Sequence, residues 1–361
     1  MKSFGRAIFA AGTLALVVSI PASAQSAEEP PVKIGWSDGK TTLETAGAGL
    51  SLTNRLQFRF TGEDADGADG TTFFEIPRAR TKLEGWAYSE KLTFELQLDW
   101  ADKGNVLKDA AVSYQATKAL QVTVGQFKAP FGRQELTSSS RQQFVDRSDA
   151  SDEFAPGRDV GVQLTGAALG KRVVWQAGAF NGNGRSFENK DGSLMVAGRV
   201  AWQPFGDLKY SEGDFESRKR PLFAIAANYA NNDRAGATSS NDVSHEILGA
   251  DVAFKHRGFS ILGEYFTRDN DPETGAASTS DGWYVQPGWF LVRDRFEIAA
   301  RYGVVDPSDR AGDDSRTETG VAFSWYLRKH NLKLQTDVRR IEDDDAGETT
   351  RQARVQLQLI F

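Results

Sequence analysis

Cationic side chains recur with even spacing in two segments near the N-terminal end of the chain. They are Arg55, Arg59, Arg78, Arg80 and Lys82. Residues two apart in a β-strand point to the same face, so each segment would present its cations as a row. Guanidinium groups match the oxygens of phosphate-like anions, and such a row on an internal wall would favour anions. The alternative is that these cations pair with nearby carboxylates and stiffen the wall.

Alternation of apolar and polar residues continues through the chain after residue 49. In the segment 91–100, for example, Leu92, Phe94, Leu96 and Leu98 alternate with polar residues. Strict period 2 over about ten residues predicts a strand, and this length suits a tilted strand that crosses a bilayer. We predict sixteen strands, at 50–60, 73–85, 91–100, 106–116, 119–127, 158–168, 171–181, 193–204, 221–230, 244–256, 258–268, 282–292, 294–304, 316–328, 332–339 and 350–361.

The last predicted strand ends the chain on an aromatic residue, Phe361. Val355, Leu357 and Leu359 share its face, whereas Gln356 lies on the other. An outer-membrane barrel ends in this way, because one face meets lipid and the other meets a polar lumen. A terminal Phe also resembles the signal by which the outer-membrane assembly machinery recognises its clients. An edge strand of a soluble sandwich is the alternative.

The connections between these strands alternate between long and short. Short periplasmic turns and longer external loops are typical of outer-membrane barrels. The charged segment 206–220 lies where a short turn is expected, and we interpret it as an extended periplasmic turn. The pattern predicts an all-β fold, a transmembrane antiparallel β-barrel of about sixteen strands over residues 49–361.

The N-terminal residues predict export. Lys2 and Arg6 precede an uncharged run, and Ala22-Ser23-Ala24 supplies a small-residue cleavage pattern, so residues 1–24 are predicted to be a signal peptide. Residues 25–48 would form a periplasmic N-terminal segment. No later stretch has the length and apolarity of a spanning helix. The predicted location is the outer membrane of a Gram-negative bacterium.

Composition excludes several other classes. The chain has no Cys, which excludes disulfides and Cys-based metal or redox sites. The formal charge of −6 gives no support to nucleic-acid binding. The three His residues, His245, His256 and His330, lie in no recognisable nucleophile motif. We therefore predict no enzyme activity, no cofactor and no bound metal.

Strand parity also places Arg199 and Arg301 on the inward face. Although the chain is net acidic, inward cations outnumber inward acids, so the lumen is predicted to be basic. The acidic runs fall instead in predicted external loops, such as residues 342–345. They are interpreted as a solvated surface, with divalent-cation binding beside lipopolysaccharide as the alternative.

The long third loop, residues 128–157, carries the most specific motif of the chain. Gly125-Gln126-Phe127-Lys128-Ala129-Pro130-Phe131-Gly132 leads to Leu136-Thr137-Ser138-Ser139, then Asp146-Arg147-Ser148, and then Gly157-Arg158-Asp159-Val160-Gly161. Together with Pro77-Arg78-Ala79-Arg80, Phe180-Asn181-Gly182-Asn183-Gly184 and Arg301-Tyr302-Gly303, this pattern closely resembles the phosphate-selective porin O and P family. The resemblance spans roughly residues 45–361.

That resemblance implies a homotrimeric, sixteen-stranded channel in outer-membrane lipid, whose third loop folds inward and constricts the pore. It also implies that Lys128, Arg133, Arg141 and Arg147 lie at or near the constriction. In the phosphate-selective members, lumen Arg and Lys bind and conduct phosphate or polyphosphate.

The function predicted from the sequence is passive diffusion of small anions, in particular phosphate or polyphosphate, through a basic lumen. Two alternatives stay open. One is a general, weakly selective diffusion porin, because the external loops are acidic. The other is a structural or adhesive barrel with a plugged lumen.

Overall fold

A computed structural model describes residues 32–189, 192–234, 243–272, 275–310, 312 and 314–361; the predicted signal peptide lies outside these ranges. The strands are β1 Lys33–Ser37, β2 Lys40–Glu44, β3 Ala48–Ala65, β4 Thr71–Ala87, β5 Ser89–Asp99, β6 Leu107–Thr117, β7 Leu120–Lys128, β8 Arg158–Ala168, β9 Val173–Phe180, β10 Met195–Trp202, β11 Leu222–Arg234, β12 Val243–His256, β13 Phe259–Pro272, β14 Ser278–Val292, β15 Phe296–Asp306, β16 Arg316–Arg328, β17 Leu332–Asp343 and β18 Glu348–Ile360. Two short α-helices, α1 Arg133–Leu136 and α2 Asp149–Phe154, and a 3₁₀ turn, Ser139–Arg141, lie between β7 and β8. No helix in the described ranges has the length and apolarity needed to cross a membrane.

The strands β3 to β18 form a closed antiparallel barrel of sixteen strands. Each pairs with the next along the chain, and β18 returns to pair with β3 through Gln356 and Arg59. The backbone of Phe361 exchanges hydrogen bonds with that of Asn54, which fastens the last residue to the first barrel strand. The barrel predicted from alternation is therefore confirmed.

The two faces of the barrel wall differ as the alternation predicts. In β18, Leu357 is 41% exposed, whereas its neighbours Gln356 and Gln358 are fully buried. Apolar side chains therefore cover the outside, and polar side chains point into the barrel. An exposed apolar belt of this kind is stable where the surrounding medium is lipid.

Several strands are longer than predicted at the long-loop end of the barrel. The connection between the predicted strands 50–60 and 73–85 is shortened to residues 66–70, because β3 continues to Ala65 and β4 starts at Thr71. Hydrophobic alternation stops where a strand leaves the apolar belt, but backbone pairing continues as long as a partner strand is present. A second addition is the hairpin of β1 and β2, which lies within the predicted N-terminal segment and pairs with β3.

The third loop, which occupies residues 129–157, lies inside the barrel. Its backbone N–H groups donate hydrogen bonds to carboxylates on strands that are far away in sequence. The pairs are Arg133 and Gln134 with Glu264 of β13, Val145 with Asp337 of β17 and Asp149 with Glu318 of β16. Because buried backbone groups need partners, these contacts fix the loop against the β13–β17 wall.

Inward-facing glycines give the third loop room to approach this wall. A Cβ atom on Gly288 would lie 1.9 Å from Nε2 of Gln143, a loop side chain that bonds to Glu297 of β15. A Cβ on Gly320 would lie 3.0 Å from the ring of Phe144, which is fully buried. Because glycine has no side chain, the loop can pack closely against the wall at these two positions.

The exposed apolar belt predicts that a charged substitution lowers the stability of the barrel by an amount that depends on its position along the strand. Leu357→Arg should destabilise the folded barrel by about 2–4 kcal/mol, because it places a guanidinium at mid-strand on the lipid side. Glu348→Arg, at the exposed end of the same strand, is the control and should cost about 1 kcal/mol or less. Urea unfolding of the barrel in lipid vesicles measures both; equal values would contradict the assignment of this face to lipid.

The glycine contact generates a second prediction. Gly288→Ala should displace Gln143 and lower the stability by about 1–3 kcal/mol, the usual range for overpacking. Gly263→Ala is the matched control, because its Cβ would meet no atom closer than 3.4 Å. Thermal unfolding of both variants tests the contact, and an unchanged midpoint for Gly288→Ala would show that the loop does not pack here.

Candidate functional site

A cavity of about 850 Å³ remains between the third loop and the opposite wall, β3 to β8. Its lining begins at Glu44 and Trp86, at the short-turn end of the barrel. It reaches Asp109 and Arg158 near the long-loop end. The cavity therefore follows most of the length of these strands, as a path across the barrel must.

Six cations and four acids line this cavity. The cations are Arg78, Arg80, Lys82, Lys128, Arg147 and Arg158, and the acids are Glu44, Glu84, Glu95 and Asp109. The lining is thus net basic although the whole chain is net acidic, at −6. Other carboxylates lie away from the cavity: some hold the third loop on the opposite side of the lumen, and runs such as residues 342–345 lie at the long-loop end of the barrel.

Three of these cations pair with carboxylates on the barrel wall. The ion pairs are Arg80 with Asp99 (2.7 Å), Lys82 with Glu84 (2.7 Å) and Glu95 (3.2 Å), and Arg158 with Asp109 (2.9 Å). Antiparallel register places Arg80 directly opposite Asp99. Lys82 lies opposite Gln97, so that Glu95 is its diagonal neighbour on β5, while Glu84 lies two residues further along β4. Asp109 reaches Arg158 from β6, two strands away. For Arg80 and Lys82, these ion pairs are the alternative considered in the sequence analysis, in which the cations pair with nearby carboxylates of the wall.

Arg55 differs from its neighbours. It is 7% exposed, it has no carboxylate partner among the described residues, and its Nε has no hydrogen-bond partner there. Its Nη1 lies 3.4 Å from Oγ of Ser138, and Nη1 of the adjacent Arg80 lies 3.5 Å from Oγ of Ser139. Two guanidinium groups and two loop hydroxyls therefore converge. A buried cation without a counter-ion is costly, and a bound anion would remove that cost.

Asp146 of the third loop joins three arginines of the barrel wall. Its carboxylate accepts from Arg59 (2.9 Å), Arg78 (3.0 Å) and Arg354 (3.0 Å). Burial would raise the pKa of Asp146, but the Coulombic attraction of Arg78, Arg59 and Arg354 outweighs it and holds the pKa well below its usual range. The charged clamp therefore persists across physiological pH and ties the loop to β3, β4 and β18.

Lys128 and Arg147 lie at the side of the cavity formed by the third loop. Nζ of Lys128 donates to the carbonyls of Glu135 and Thr137, and Arg147 pairs with the carboxylate of Glu135 at 3.0 Å. Both cations stiffen the loop while their side chains line the cavity. The family resemblance predicts that both lie at or near the constriction of the pore, and this stays a prediction.

Arg133, Arg199 and Arg301 do not line the cavity. Arg199 forms a buried ion pair with Asp251, and Arg301 pairs with Glu318 at 2.9 Å. Arg133 donates to backbone carbonyls of residues 208 and 209. Both point into the barrel, but Phe144 and Asp146 of the loop cover Arg301, and Arg199 bonds to Tyr210 of the connection between β10 and β11. The side chain of Arg141 is exposed and is also absent from the cavity lining.

Arg158, Ser138 and Ser139 were not predicted as site residues. Arg158 is the first residue of β8, where the chain arrives from the loop and strand parity does not yet fix the side chain. The two serines belong to the third-loop motif, so the motif itself was the available signal. Their approach to Arg55 and Arg80 depends on the fold of the loop.

The chain is similar in sequence to a described family and to a curated protein. Residues 50–361 match the family described as phosphate-selective porin O and P. An uncharacterized protein of Aquifex aeolicus (strain VF5) is 25% identical over 285 residues, which cover 71% of this chain and 68% of that protein.

Solved porins share the fold at low sequence identity. An anion-selective porin from Comamonas acidovorans superposes with a TM-score of 0.66 at 14% identity, covering 87% of this chain and 100% of that one. The outer membrane channel DcaP of Acinetobacter baumannii gives 0.62 at 12% identity, covering 88% and 99%. OmpT of Vibrio cholerae, in a trimer form, gives 0.61 at 10% identity, covering 87% and 100%. Because the family match spans the whole barrel except its first residues, the chain belongs to the phosphate-selective porin O and P family.

Proposed function

We propose that the chain is an outer-membrane porin through which small anions diffuse passively, and that it prefers anions of the phosphate class. The observation that carries the proposal is the net basic cavity along β3–β8. Arg55 lies directly behind its lining residue Ser138, buried and without a carboxylate partner among the described residues. Membership of the family and the anion selectivity stated for the porin from Comamonas acidovorans support the anion preference.

The preference for a phosphate-class anion follows from the donors that converge beside Arg55. Guanidinium forks and hydroxyl groups donate in several directions, and a tetrahedral oxyanion has enough oxygens to accept from all of them. Chloride has no such directional match. Conduction also requires that binding stay weak enough for release, and the carboxylates beside Arg80, Lys82 and Arg158 moderate the attraction.

The two alternatives make different predictions for the same cavity. In a general diffusion porin, the ion pairs would leave the cavity wall electrically neutral, and the anion current would not saturate as the anion concentration rises. A plugged barrel would not conduct. The cavity volume of about 850 Å³ argues against the plugged barrel.

We further propose how the barrel is assembled and placed. After removal of residues 1–24, the assembly machinery would recognise the strand that ends at Phe361, which is 45% exposed. The apolar belt would contact outer-membrane lipid and lipopolysaccharide, and the short-turn end with the β1–β2 hairpin would face the periplasm. A homotrimer, which the family resemblance implies, is supported by the trimer form of OmpT.

Arg55→Gln should weaken block of the channel by phosphate about tenfold, because it removes a charged donor of the kind that contributes about 1.5–3 kcal/mol. Lys118→Gln makes the same change of charge in an exposed turn and should leave block unchanged. Chloride current in planar bilayers, titrated with phosphate, measures both. Equal block in Arg55→Gln and the unmodified protein would place the phosphate site elsewhere.

Arg80→Glu should move the zero-current potential under a KCl gradient towards cation preference, because it replaces a cation that lines the cavity with an acid beside Asp99. Lys118→Glu is the matched control for the change of charge. An unmodified protein that prefers chloride but is not blocked by phosphate would support the general porin, and a potential unaffected by Arg80→Glu would show that Arg80 does not line the path.

A further inference from the structure

The connection between β10 and β11, residues 203–221, is a second segment that enters the barrel. It starts and ends at the short-turn end of the barrel, where residues 206–220 are predicted to form an extended periplasmic turn. Leu208, Glu212 and Asp214 of this segment are nevertheless buried. Phe215 packs against Phe290 of β14 at a ring distance of 4.8 Å. We call residues 203–221 the inward turn.

The inward turn is fixed to the barrel wall. Nζ of Lys255, on β12, donates to the carbonyls of Ser211 (2.7 Å) and Gly213 (2.9 Å). The carboxylate of Asp214 accepts from the backbone N–H of Gly258 at 2.7 Å. The segment is therefore held at a defined depth inside the barrel.

Glu212 connects the inward turn to the third loop. Its carboxylate accepts from the backbone N–H of Gln143 (2.7 Å), from Nε2 of Gln134 (2.8 Å) and from Nε2 of Gln286 on β14 (2.8 Å). Its own N–H donates to the carbonyl of Arg141 at 3.2 Å. One buried side chain thus contacts the loop at two points and the wall at a third.

A second contact runs in the opposite direction. Nη2 of Arg133, from the third loop, donates to the carbonyls of Leu208 (2.8 Å) and Lys209 (2.9 Å) of the inward turn. The same guanidinium lies over the ring of Tyr210 at 5.1 Å. The two segments are therefore joined from both sides, and each satisfies buried polar groups of the other.

We propose that the inward turn is the support that holds the third loop against the β13–β17 wall, and that Glu212 is its positioning residue. Without this support, the loop would keep only its own contacts with the barrel wall, so it would move more often towards the β3–β8 wall and narrow the cavity. The inference deepens the proposed function, since the cavity is the path proposed for anions, but the position of the loop can be measured without any current.

Glu212→Gln tests the support directly, because it keeps the size of the side chain and removes the carboxylate. Hydrogen exchange of peptides that cover residues 134–143 should become about tenfold faster, as expected when charge-assisted hydrogen bonds are lost. Peptides from the barrel strands should be unchanged. Glu216→Gln is the matched control, because that carboxylate lies in the same segment but is exposed and pairs with Arg218.

Single-channel recording supplies the second readout. Glu212→Gln should close about ten times more often than the unmodified channel, whereas Glu216→Gln should not. Unchanged exchange and unchanged closures in a folded Glu212→Gln barrel would overturn the inference. If the unmodified protein does not conduct, the proposed function fails, and hydrogen exchange still decides whether the turn holds the loop.

Arg133→Lys provides a test if Glu212→Gln does not fold. It keeps the positive charge but loses the planar fork that reaches two carbonyls. Exchange should then accelerate in residues 203–221 as well as in the third loop. Protection that stays unchanged in both segments would overturn the inference.

Discussion

The structure depends on one requirement: a long loop inside the barrel must find partners for its buried backbone N–H groups. Carboxylates supply them. Glu264, Glu318 and Asp337 on the far wall and Glu212 on the inward turn accept these bonds. Since these acceptors lie on one side, the loop lies on that side too. The open cavity is left along β3–β8, and the direction in which the loop is held determines which side chains line it.

The same arrangement explains how an acidic chain has a basic cavity. Acids on the far half of the lumen contact the loop and the buried cations Arg199 and Arg301. Cations on the near half face the cavity, most of them moderated by one carboxylate. Asp146, at the edge of the loop, forms ion pairs with three arginines of the barrel wall. Arg55 contacts the hydroxyl of Ser138 and has no carboxylate partner among the described residues, which makes it the strongest candidate for contact with an anion.

Strand parity predicted the closed barrel and the polar and apolar faces of strands such as β18, because period 2 is a local property of the chain. Gln356 and Leu357 illustrate how well that reasoning holds. It could not predict what covers an inward side chain, because that depends on contacts distant in sequence. Parity therefore placed Arg199 and Arg301 on the path although the loop or the inward turn covers them. Arg133, which the family resemblance placed at the constriction, is covered in the same way. The small residues Gly288 and Gly320 were an unused signal that something packs closely against that wall.

The central claim, that ions pass along β3–β8 and not along the wall behind the loop, is tested most directly by chemical modification. The chain has no Cys, so a single thiol can be introduced at a chosen point. An anionic thiol reagent should reduce the current through Ser113→Cys, which lines the cavity. It should leave Ser324→Cys unaffected, because Ser324 is buried beneath the loop and bonds to Gln143. Block at Ser324→Cys without block at Ser113→Cys would contradict the account.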